Sequence, residues 1–413
     1  MNGSGRPSTA ASPGAGGAAP AGACTRCGAC LAVCPVYRVR RHEAAAPRGK
    51  TVALGARPPV AGPGLERMLS ACLQCGACAA RCPAGISPAD LVQQARAEGR
   101  GGRGGRAAAR LFGAAFSGGR GGRFARLFAG GLRFLRRLPL PGGGGWGFPA
   151  PAALPATGRP ELRPLCPGAG PVRAALFVGC LQEHFFPEVA VAVARWFGEG
   201  DLAVPAGQGC CGLPAWAAGD VAGARDQARR FVRVFAPLHA TWVVTGCASC
   251  AAFLSRRLPG LFPPGDPDGE AAAALAARVR EFARLVLELG LRPAGAPGTP
   301  PPAAVTWHTP CHQRHGLGDP SVLPEFLEAL GGMDLRPAGE GCCGQGGAFA
   351  FREPGTAEAL LAARRSDFRA AGAEVVVTNC SGCLLRLRAG PAGPGDGGVR
   401  VLHPAELAQG RGG

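Results

Sequence analysis

Two cysteine patterns, each present twice, contain eighteen of the nineteen cysteines in this chain of 413 residues. The shorter pattern is CxxCxxCxxxCP, and its copies consist of Cys24, Cys27, Cys30 and Cys34, then Cys72, Cys75, Cys78 and Cys82. The longer pattern is a single cysteine, a CCG triplet and a CxxC: Cys180, Cys210, Cys211, Cys247 and Cys250, repeated as Cys311, Cys342, Cys343, Cys380 and Cys383. Thiols at such regular spacing indicate metal clusters, and metal clusters indicate electron transfer. Cys166 belongs to neither pattern, and we expect it to take no part in metal binding.

The cysteines also bear on the cellular compartment. A set of disulfides is the alternative role for so many thiols, and it requires an oxidising environment. The first twenty residues contain no apolar segment of the kind that a signal peptide needs, so we expect the reducing cytoplasm. The chain has no run of eighteen or more apolar residues, so we expect no membrane-spanning helix. Residues 123–137 combine apolar side chains with arginines. Such a segment could associate peripherally with the inner face of the cytoplasmic membrane, or it could pack on a partner or on this protein's own domains.

The net charge of +18 comes almost entirely from arginine, since Lys50 is the only lysine. Basic charge alone supports solubility and non-specific association rather than a mechanism. Few aromatic residues stand near the basic stretches, which therefore offer no stacking platform for bases. We expect no nucleic-acid partner.

Composition and the cysteine repeats divide the chain into five segments. We expect a disordered tail over 1–20, a dicluster ferredoxin-type domain over 21–98, and a Gly/Pro/Arg-rich linker with amphipathic helical pieces over 99–171. Two cysteine-rich domains follow over 172–295 and 303–413. They are copies of each other, because Cys180 and Cys311 are 131 residues apart while Cys250 and Cys383 are 133 residues apart.

Local patterns predict a multidomain α+β fold. In the ferredoxin-type domain, Ser87 can cap a helix with Pro88 at its first position and Gly99 at its end, so this domain is expected to be mostly helical. In the cysteine-rich domains, short β-rich runs such as AALFVGC and EVVVTNC lead directly into cysteines, and helices are expected over 270–289 and 356–371. Strands that alternate with helices predict two duplicated α/β domains with parallel sheets, whose cysteines stand at the carboxyl ends of strands.

The shorter pattern predicts two 4Fe-4S clusters with crossed ligands. Three cysteines at i, i+3 and i+6 wrap round three corners of a cubane, and the fourth, followed by proline, ligates the other cluster in two-cluster ferredoxins. We assign Cys24, Cys27, Cys30 and Cys82 to cluster 1, and Cys72, Cys75, Cys78 and Cys34 to cluster 2. A zinc site is the alternative, but it needs only four ligands, normally from two separated CxxC pairs.

The longer pattern offers five thiolates, more than tetrahedral zinc takes, and therefore favours a multinuclear cluster. Adjacent cysteines point in different directions, and the glycine that follows them allows the backbone to turn tightly. Three histidines, His308, His312 and His315, stand close to Cys311 in the sequence. They could be ligands or proton donors, and we favour hydrogen bonds to sulfur, which tune a cluster's potential.

On these motifs the chain resembles the iron-sulfur subunit of glycolate oxidase and of related FAD-linked D-lactate dehydrogenases. The resemblance rests on CxxCGxCxxxCPVY, on PRGK at 47–50 and on two complete CCG sets. Similar cysteine-rich domains occur in heterodisulfide reductase and in anaerobic glycerol-3-phosphate dehydrogenase, in one subunit of each. By resemblance to heterodisulfide reductase, each set of five cysteines could hold a noncubane 4Fe-4S cluster, which implies one or two clusters beyond the two in the ferredoxin-type domain.

The resemblance implies an electron-transfer subunit of an oxidoreductase complex that oxidises glycolate or D-lactate. The chain has no flavin or nicotinamide fingerprint, so we expect oxidation on an FAD-binding partner subunit and transfer to a quinone or another carrier. Alternatives stay open: a heterodisulfide reductase-like catalytic subunit that reduces a disulfide at a noncubane cluster, or the cysteine-rich subunit of an anaerobic glycerol-3-phosphate dehydrogenase. A zinc scaffold without a redox role is a further alternative.

Overall fold

The structure is a computed structural model, and it describes residues 19–101, 172–198, 200–293, 304–388 and 399–408. The amphipathic pieces expected in the linker and Cys166 lie outside these residues, as does the expected tail apart from its last two residues.

Short helices dominate residues 19–101, as predicted. They are α1 (Ala29–Ala32), α2 (Pro35–Arg40), α3 (Pro47–Gly55), α4 (Pro63–Ser70), α5 (Ala77–Ala80) and α6 (Pro88–Ala97). Proline takes the first position of α2, α3, α4 and α6, where its missing N–H breaks no helical hydrogen bond. The predicted cap of α6 is confirmed: the Ser87 hydroxyl accepts from the backbone N–H of Asp90 at 3.3 Å.

Each cysteine-rich domain is built on a parallel sheet that has four strands in the described residues. The first sheet contains β1 (Ala174–Leu176), β2 (Leu202–Ala203), β3 (Trp242–Thr245) and β4 (Val279–Glu281), in the order β2-β1-β3-β4. The second contains β5 (Ala304–Trp307), β6 (Asp334–Leu335), β7 (Val375–Val377) and β8 (Arg400–Leu402), in the equivalent order β6-β5-β7-β8. The predicted duplicated parallel sheets are confirmed, and cysteines follow the central strands β1, β3, β5 and β7 within a few residues.

Helices connect these strands. They are α7 (Cys180–His184), α8 (Pro187–Ala194), α9 (Leu213–Ala217), α10 (Val221–Phe235), α11 (Ala248–Arg256), α12 (Gly269–Arg278), α13 (Phe282–Leu289), α14 (Val322–Leu330), α15 (Phe349–Arg352), α16 (Pro354–Ala370) and α17 (Ser381–Arg388). A short π-helical segment covers His312–Leu317. The helix predicted over 356–371 is confirmed as part of α16.

The single helix predicted over 270–289 is wrong, because strand β4 interrupts it. Val279 pairs with Val243 on the edge of the sheet, where β3 offers backbone groups that need partners. Glu281 then starts α13, because its carboxylate accepts from the backbone N–H of Arg284 at 3.3 Å. The apolar periodicity continues across the break, so it could not reveal the strand.

The two cysteine-rich domains share a hydrophobic core. Buried residues from both sheets belong to it, among them Leu176, Val244, Val305 and Val375. Within it the Trp196 ring lies 5.4 Å from Phe282 and 5.5 Å from Phe326, centroid to centroid. The two domains are therefore packed together through apolar side chains rather than joined only by the chain.

Residues 19–101 dock on both cysteine-rich domains. From α6, the buried Arg96 donates to the carbonyl oxygen of Ala217 in the first domain at 2.7 Å. From α2, Arg40 forms an ion pair with Glu353 of the second domain at 2.5 Å. No helix in the described ranges has the length and apolar character needed to cross a membrane.

Candidate iron-sulfur sites

The structure gathers Cys24, Cys27, Cys30 and Cys82 around one cavity, called cavity 1. The cavity holds about 400 Å³ of space between atoms, part of it open to solvent. Gly28 adopts a left-handed φ of 81° between two of these cysteines, which lets the loop turn round the cavity. Arg48, from α3, stands at its wall and is paired with the Glu43 carboxylate at 2.8 Å.

The other four cysteines of the shorter pattern line a second space, called cavity 2. They are Cys34, Cys72, Cys75 and Cys78, around about 410 Å³. Each cavity thus takes three cysteines from one copy of the pattern and the fourth from the other. The proline after the fourth cysteine explains the crossing in the first copy, because Pro35 begins α2 directly after Cys34 and carries the chain away from its own loop.

Cavity 2 has two buried cations beside it, Lys50 and Arg96, each 3% exposed. Lys50 lines the cavity and donates to the carbonyl oxygen of Ala45, while Arg96 donates to the carbonyl oxygen of Cys72 at 3.4 Å. Among the described residues, neither cation forms an ion pair with a carboxylate. Burial lowers the pKa of Lys50, and lowers the pKa of Arg96 to about 10.

The cysteines beside these cations are also unfavourable in the thiolate form when no metal is bound. Burial raises the pKa of Cys75 to about 12 and raises that of Cys34, because the thiolate form loses its hydration. A 4Fe-4S core supplies the positive iron that the four thiolates need, and the assembly as a whole is an anion that compensates the two cations. The donors and the charge of cavity 2 therefore fit such a cluster.

Sequence reasoning did not single out Lys50, Arg48 or Arg96 as site residues. The available signal was PRGK itself, because it contains the only lysine of the chain. In the structure α3 runs between the two cavities, with Arg48 and Thr51 at cavity 1 and Pro47 and Lys50 at cavity 2.

The first cysteine-rich site brings together the five cysteines that the longer pattern predicts. Cys180, Cys210, Cys211, Cys247 and Cys250 are all buried, between 4% and 8% exposed. Cys180 begins α7 after β1, and Cys247 follows β3 and precedes α11. The Sγ atoms of Cys180 and Cys210 are 3.7 Å apart. Neighbouring thiols and burial raise the pKa of Cys180 and Cys250 well above the usual thiol value.

The second cysteine-rich site repeats this arrangement with Cys311, Cys342, Cys343, Cys380 and Cys383. The Sγ atoms of Cys343 and Cys383 are 3.3 Å apart. Gly344 has a φ of 80°, and a Cβ there would lie 2.5 Å from the carbonyl oxygen of Ala357, so only glycine fits after the paired cysteines. Five convergent thiols at each site exceed the ligand number of tetrahedral zinc.

The two cysteine-rich sites adjoin. The Ser249 hydroxyl, from the CxxC of the first site, lies 3.2 Å from the sulfur of Cys380 in the second. The same hydroxyl lies 2.8 Å from Nδ1 of His312, and the backbone N–H of Ala248 donates to the carbonyl oxygen of Asn379 at 2.7 Å.

Cavity 2 adjoins the second cysteine-rich site from the other side. Cys75 is close enough to Cys311 and Cys342 for its charge to raise their pKa values. A Cβ on Gly76 would lie 3.3 Å from the Cβ of His315. The four sets of cysteines therefore stand in the order cavity 1, cavity 2, second cysteine-rich site, first cysteine-rich site.

The three histidines named from the sequence take different positions. His308 is buried, and its ring and the sulfurs of Cys343 and Cys383 offer ligand atoms within 4.8 Å of one another. His312 forms a hydrogen bond with the Ser249 hydroxyl, and burial lowers the pKa of His312. Burial and the charge of Arg314 lower the pKa of His315 to about 4.

Comparison with known proteins agrees with this organisation. The family model described as a 4Fe-4S dicluster domain matches residues 20–86, and the one described as a cysteine-rich domain matches residues 174–255 and 305–388. The fold and these matches define an iron-sulfur protein with a dicluster domain and a duplicated cysteine-rich domain.

Curated relatives narrow the class to a family. Lactate utilization protein A of Geobacillus kaustophilus is 32% identical over 246 residues, which are 58% of this chain and 100% of that protein. The protein of the same name from Geobacillus thermodenitrificans is 31% identical over 241 residues, 57% of this chain and 98% of that protein. Lactate utilization protein A 2 of Bacillus cereus is 29% identical over 241 residues, 57% of this chain and 97% of its own length. The chain belongs to the Lactate utilization protein A family.

These relatives match the C-terminal half of the chain. Because almost their whole length is used in that match, they have no counterpart of the dicluster domain. In this chain a dicluster domain and the pair of cysteine-rich domains are parts of one polypeptide.

Proposed function

We propose that this chain is the iron-sulfur electron-transfer subunit of a flavin-dependent 2-hydroxy acid dehydrogenase complex that oxidises D-lactate or glycolate. An FAD-binding partner subunit removes hydride from the substrate, and this chain relays the electrons, one at a time, to a quinone or another carrier. The relatives named for lactate utilization favour lactate of the two acids. The complex works in the cytoplasm or at the inner face of the cytoplasmic membrane.

The observation that carries the proposal is the continuous series of four thiol sets across the fold. Cys27 of cavity 1 is exposed, which gives the series one end at the surface. Cavity 2 lies between cavity 1 and the second cysteine-rich site, and Ser249 joins that site to the first. Iron-sulfur clusters take up and release single electrons when bound, and neighbouring thiol sets are what a relay of such carriers requires.

We propose the following ligands for these clusters. One 4Fe-4S cluster is held by Cys24, Cys27, Cys30 and Cys82, and another by Cys34, Cys72, Cys75 and Cys78. Further clusters of the noncubane type are held by Cys180, Cys210, Cys211, Cys247 and Cys250, and by Cys311, Cys342, Cys343, Cys380 and Cys383. No flavin binds this chain.

The test is anaerobic reconstitution of the chain with its flavoprotein partner. D-Lactate or glycolate should bleach the visible absorbance of the iron-sulfur clusters only when the flavoprotein is present, because this chain provides no hydride acceptor of its own. Bleaching by substrate without the flavoprotein would contradict the relay, and so would a complex whose clusters no 2-hydroxy acid reduces.

A second candidate function is disulfide reduction, as in the catalytic subunit of a heterodisulfide reductase. The close approach of two complete cysteine-rich sites at Ser249 and Cys380 favours it, and a related alternative is the cysteine-rich subunit of an anaerobic glycerol-3-phosphate dehydrogenase. In disulfide reduction, two electrons and two protons convert one disulfide into two thiols. The purified chain with reduced viologen should release thiol from a mixed disulfide if this function is correct, and a pure relay should release none.

A further inference from the structure

Each cysteine-rich domain has a wall of three side chains beside its CCG cysteines, and the two walls differ in chemistry. In the first domain the wall is aromatic: Phe177 lies 5.6 Å from Phe231 and 5.9 Å from Phe235, centroid to centroid. In the second domain the wall consists of His308, Arg364 and Phe368, and all three are at most 3% exposed.

The repeat makes these positions equivalent. Phe177 and His308 each stand three residues before the first cysteine of their site. In each domain the glycine of the CCG triplet packs against a helix. Gly212 lies at the carbonyl oxygen of Ala224 in α10, and Gly344 lies at the carbonyl oxygen of Ala357 in α16. Seven residues further along these two helices stand Phe231 and Arg364. A Phe–Phe contact in the first domain therefore corresponds to a His–Arg contact in the second.

A hydrogen bond from Arg364 defines the tautomer of His308. Arg364 donates from Nε to Nδ1 of His308 at 3.2 Å, so Nδ1 is the acceptor and a neutral ring carries its hydrogen on Nε2. A nitrogen of the His308 ring also lies within 4.8 Å of the sulfurs of Cys343 and Cys383. With Nδ1 occupied, Nε2–H is the ring's available donor next to these sulfurs.

Arg364 is itself held firmly by the second domain. It is 1% exposed and donates to the carbonyl oxygens of Ala338 at 2.7 Å and Trp307 at 3.2 Å. Its carboxylate neighbour, Asp367, is 3.2 Å away but 46% exposed. The guanidinium charge is therefore buried behind His308, and solvent screens its only acidic partner among the described residues.

We propose that His308 and Arg364 hold the second cysteine-rich site at a higher reduction potential than the first. This inference rests on the proposed function, since it requires a redox cluster at each site. Hydrogen bonds to ligand sulfur and nearby positive charge stabilise the reduced, more negative form of a cluster. The aromatic wall of the first site offers neither a donor nor a cation, so it provides no equivalent stabilisation.

The test is anaerobic redox titration of the whole chain, followed by electron paramagnetic resonance. Signals are assigned to the two sites by their loss in Cys250→Ala and Cys383→Ala. The double variant His308→Phe/Arg364→Phe copies the wall of the first domain. We expect it to shift the one-electron equilibrium of the second site tenfold or more toward oxidation, or ~59 mV, with the first site unchanged.

Two further variants separate electrostatics from packing. Phe368→Leu disturbs the same wall without removing a donor or a charge. In this variant the reduction potential of the second site should stay at the parent value. The reciprocal variant Phe177→His should raise the potential of the first site, which keeps the proposal testable if the double variant does not fold.

The outcomes distinguish the proposal from the function on which it rests. A parent protein without iron at the second site overturns both. Parent clusters whose potentials do not respond to the double variant overturn this proposal alone. Loss of iron from the second site in His308→Phe, with Arg364 intact, would make His308 a ligand and also overturn it.

Discussion

At the scale of single residues, cavity 2 combines four thiols with two buried cations that have no acidic partner among the described residues. Lys50 and Arg96 illustrate the point, because each is buried beside cavity 2 without a carboxylate at ion-pair distance among the described residues. An unpaired buried charge is unfavourable by itself. The arrangement is stable if the thiolates and their cluster supply the missing negative charge.

Replacing Cys27 by alanine tests the ligand assignment of cavity 1. Because one of four thiolates is removed, we expect loss of one cubane signal in electron paramagnetic resonance and a decrease of about four irons per chain. Cys166→Ala is the matched control, since Cys166 stands outside both patterns. An unchanged spectrum in Cys27→Ala would refute the assignment.

Replacing Lys50 by methionine tests the role of the buried cation at cavity 2. The ammonium favours the more negative, reduced cluster, so its removal should lower that cluster's reduction potential. We expect a tenfold change in the one-electron equilibrium, which corresponds to ~59 mV. Arg48→Met at cavity 1 is the comparison: Arg48 is already paired with Glu43, and its loss should have a smaller effect. Equal shifts in the two variants would contradict this reasoning.

At the scale of secondary-structure elements, the end of β4 couples the two cysteine-rich domains. Glu281 ends β4 and accepts from the backbone N–H of Arg284 in α13, and the Arg284 guanidinium pairs with Asp319 of the second domain at 2.8 Å. Burial, with repulsion from Asp319, raises the pKa of Glu281 to about 7 from its ordinary value of 4.5. The folded chain thus holds this proton to a higher pH than the unfolded chain does.

The raised pKa of Glu281 predicts a pH-dependent stability. Between the unfolded and folded pKa values the folded state binds the extra proton, so stability falls as pH rises toward 7 and is level above it. Glu281→Gln removes this dependence. Between pH 5.5 and pH 8 we expect the parent to lose about 2 kcal/mol more unfolding free energy than the variant.

Anaerobic denaturant titrations at the two pH values measure this difference. Glu270→Gln is the control, because Glu270 is exposed and its replacement should leave the parent's pH dependence unchanged. A parent and a Glu281→Gln variant with equal pH dependence would show that Glu281 is ionised throughout this range.

At the scale of the whole molecule, the dicluster domain is fixed against both cysteine-rich domains, which sets the order of the four thiol sets. Helix α6 contacts the first domain through Arg96, and α2 contacts the second through Arg40. A small core containing Val36, Leu73, Phe349 and Leu360 closes the contact with the second domain. The proposed electron transfer between neighbouring sites depends on keeping these surfaces together.

Gly219 gives a direct test of this docking. It has a φ of 85°, and a Cβ there would lie 2.6 Å from the backbone nitrogen of Ala97 in α6. Gly219→Ala should therefore weaken the contact by about 1–3 kcal/mol and accelerate amide exchange in α6 about tenfold or more. The expected change is local to α6 and its partner surface.

Gly290→Ala is the matched control for backbone strain. Gly290 also has a positive φ, 61°, but a Cβ there would meet nothing within 4 Å. Amide exchange in α6 should match the parent in this variant. Equal acceleration in both variants would mean that the Gly219 effect comes from backbone strain rather than from docking.

The sequence by itself determined the features that depend on neighbours along the chain. The spacing of the cysteines predicted how they group, with the fourth cysteine of each short pattern crossed to the other set. The β-rich runs predicted β1, β3, β5 and β7, and the Ser87 cap predicted α6. These features follow from local backbone geometry and propensity, which a short window of residues expresses. The ligand roles of the cysteines stay predictions.

Only the tertiary structure decided what distant residues do to one another. It interrupted the helix expected over 270–289 with β4, because the edge of β3 provided hydrogen-bond partners. It also paired His308 with Arg364, which are 56 residues apart, and buried Lys50 beside cavity 2. Charge and hydrogen bonding at a buried site depend on which side chains packing brings together, and no local pattern in the chain encodes that.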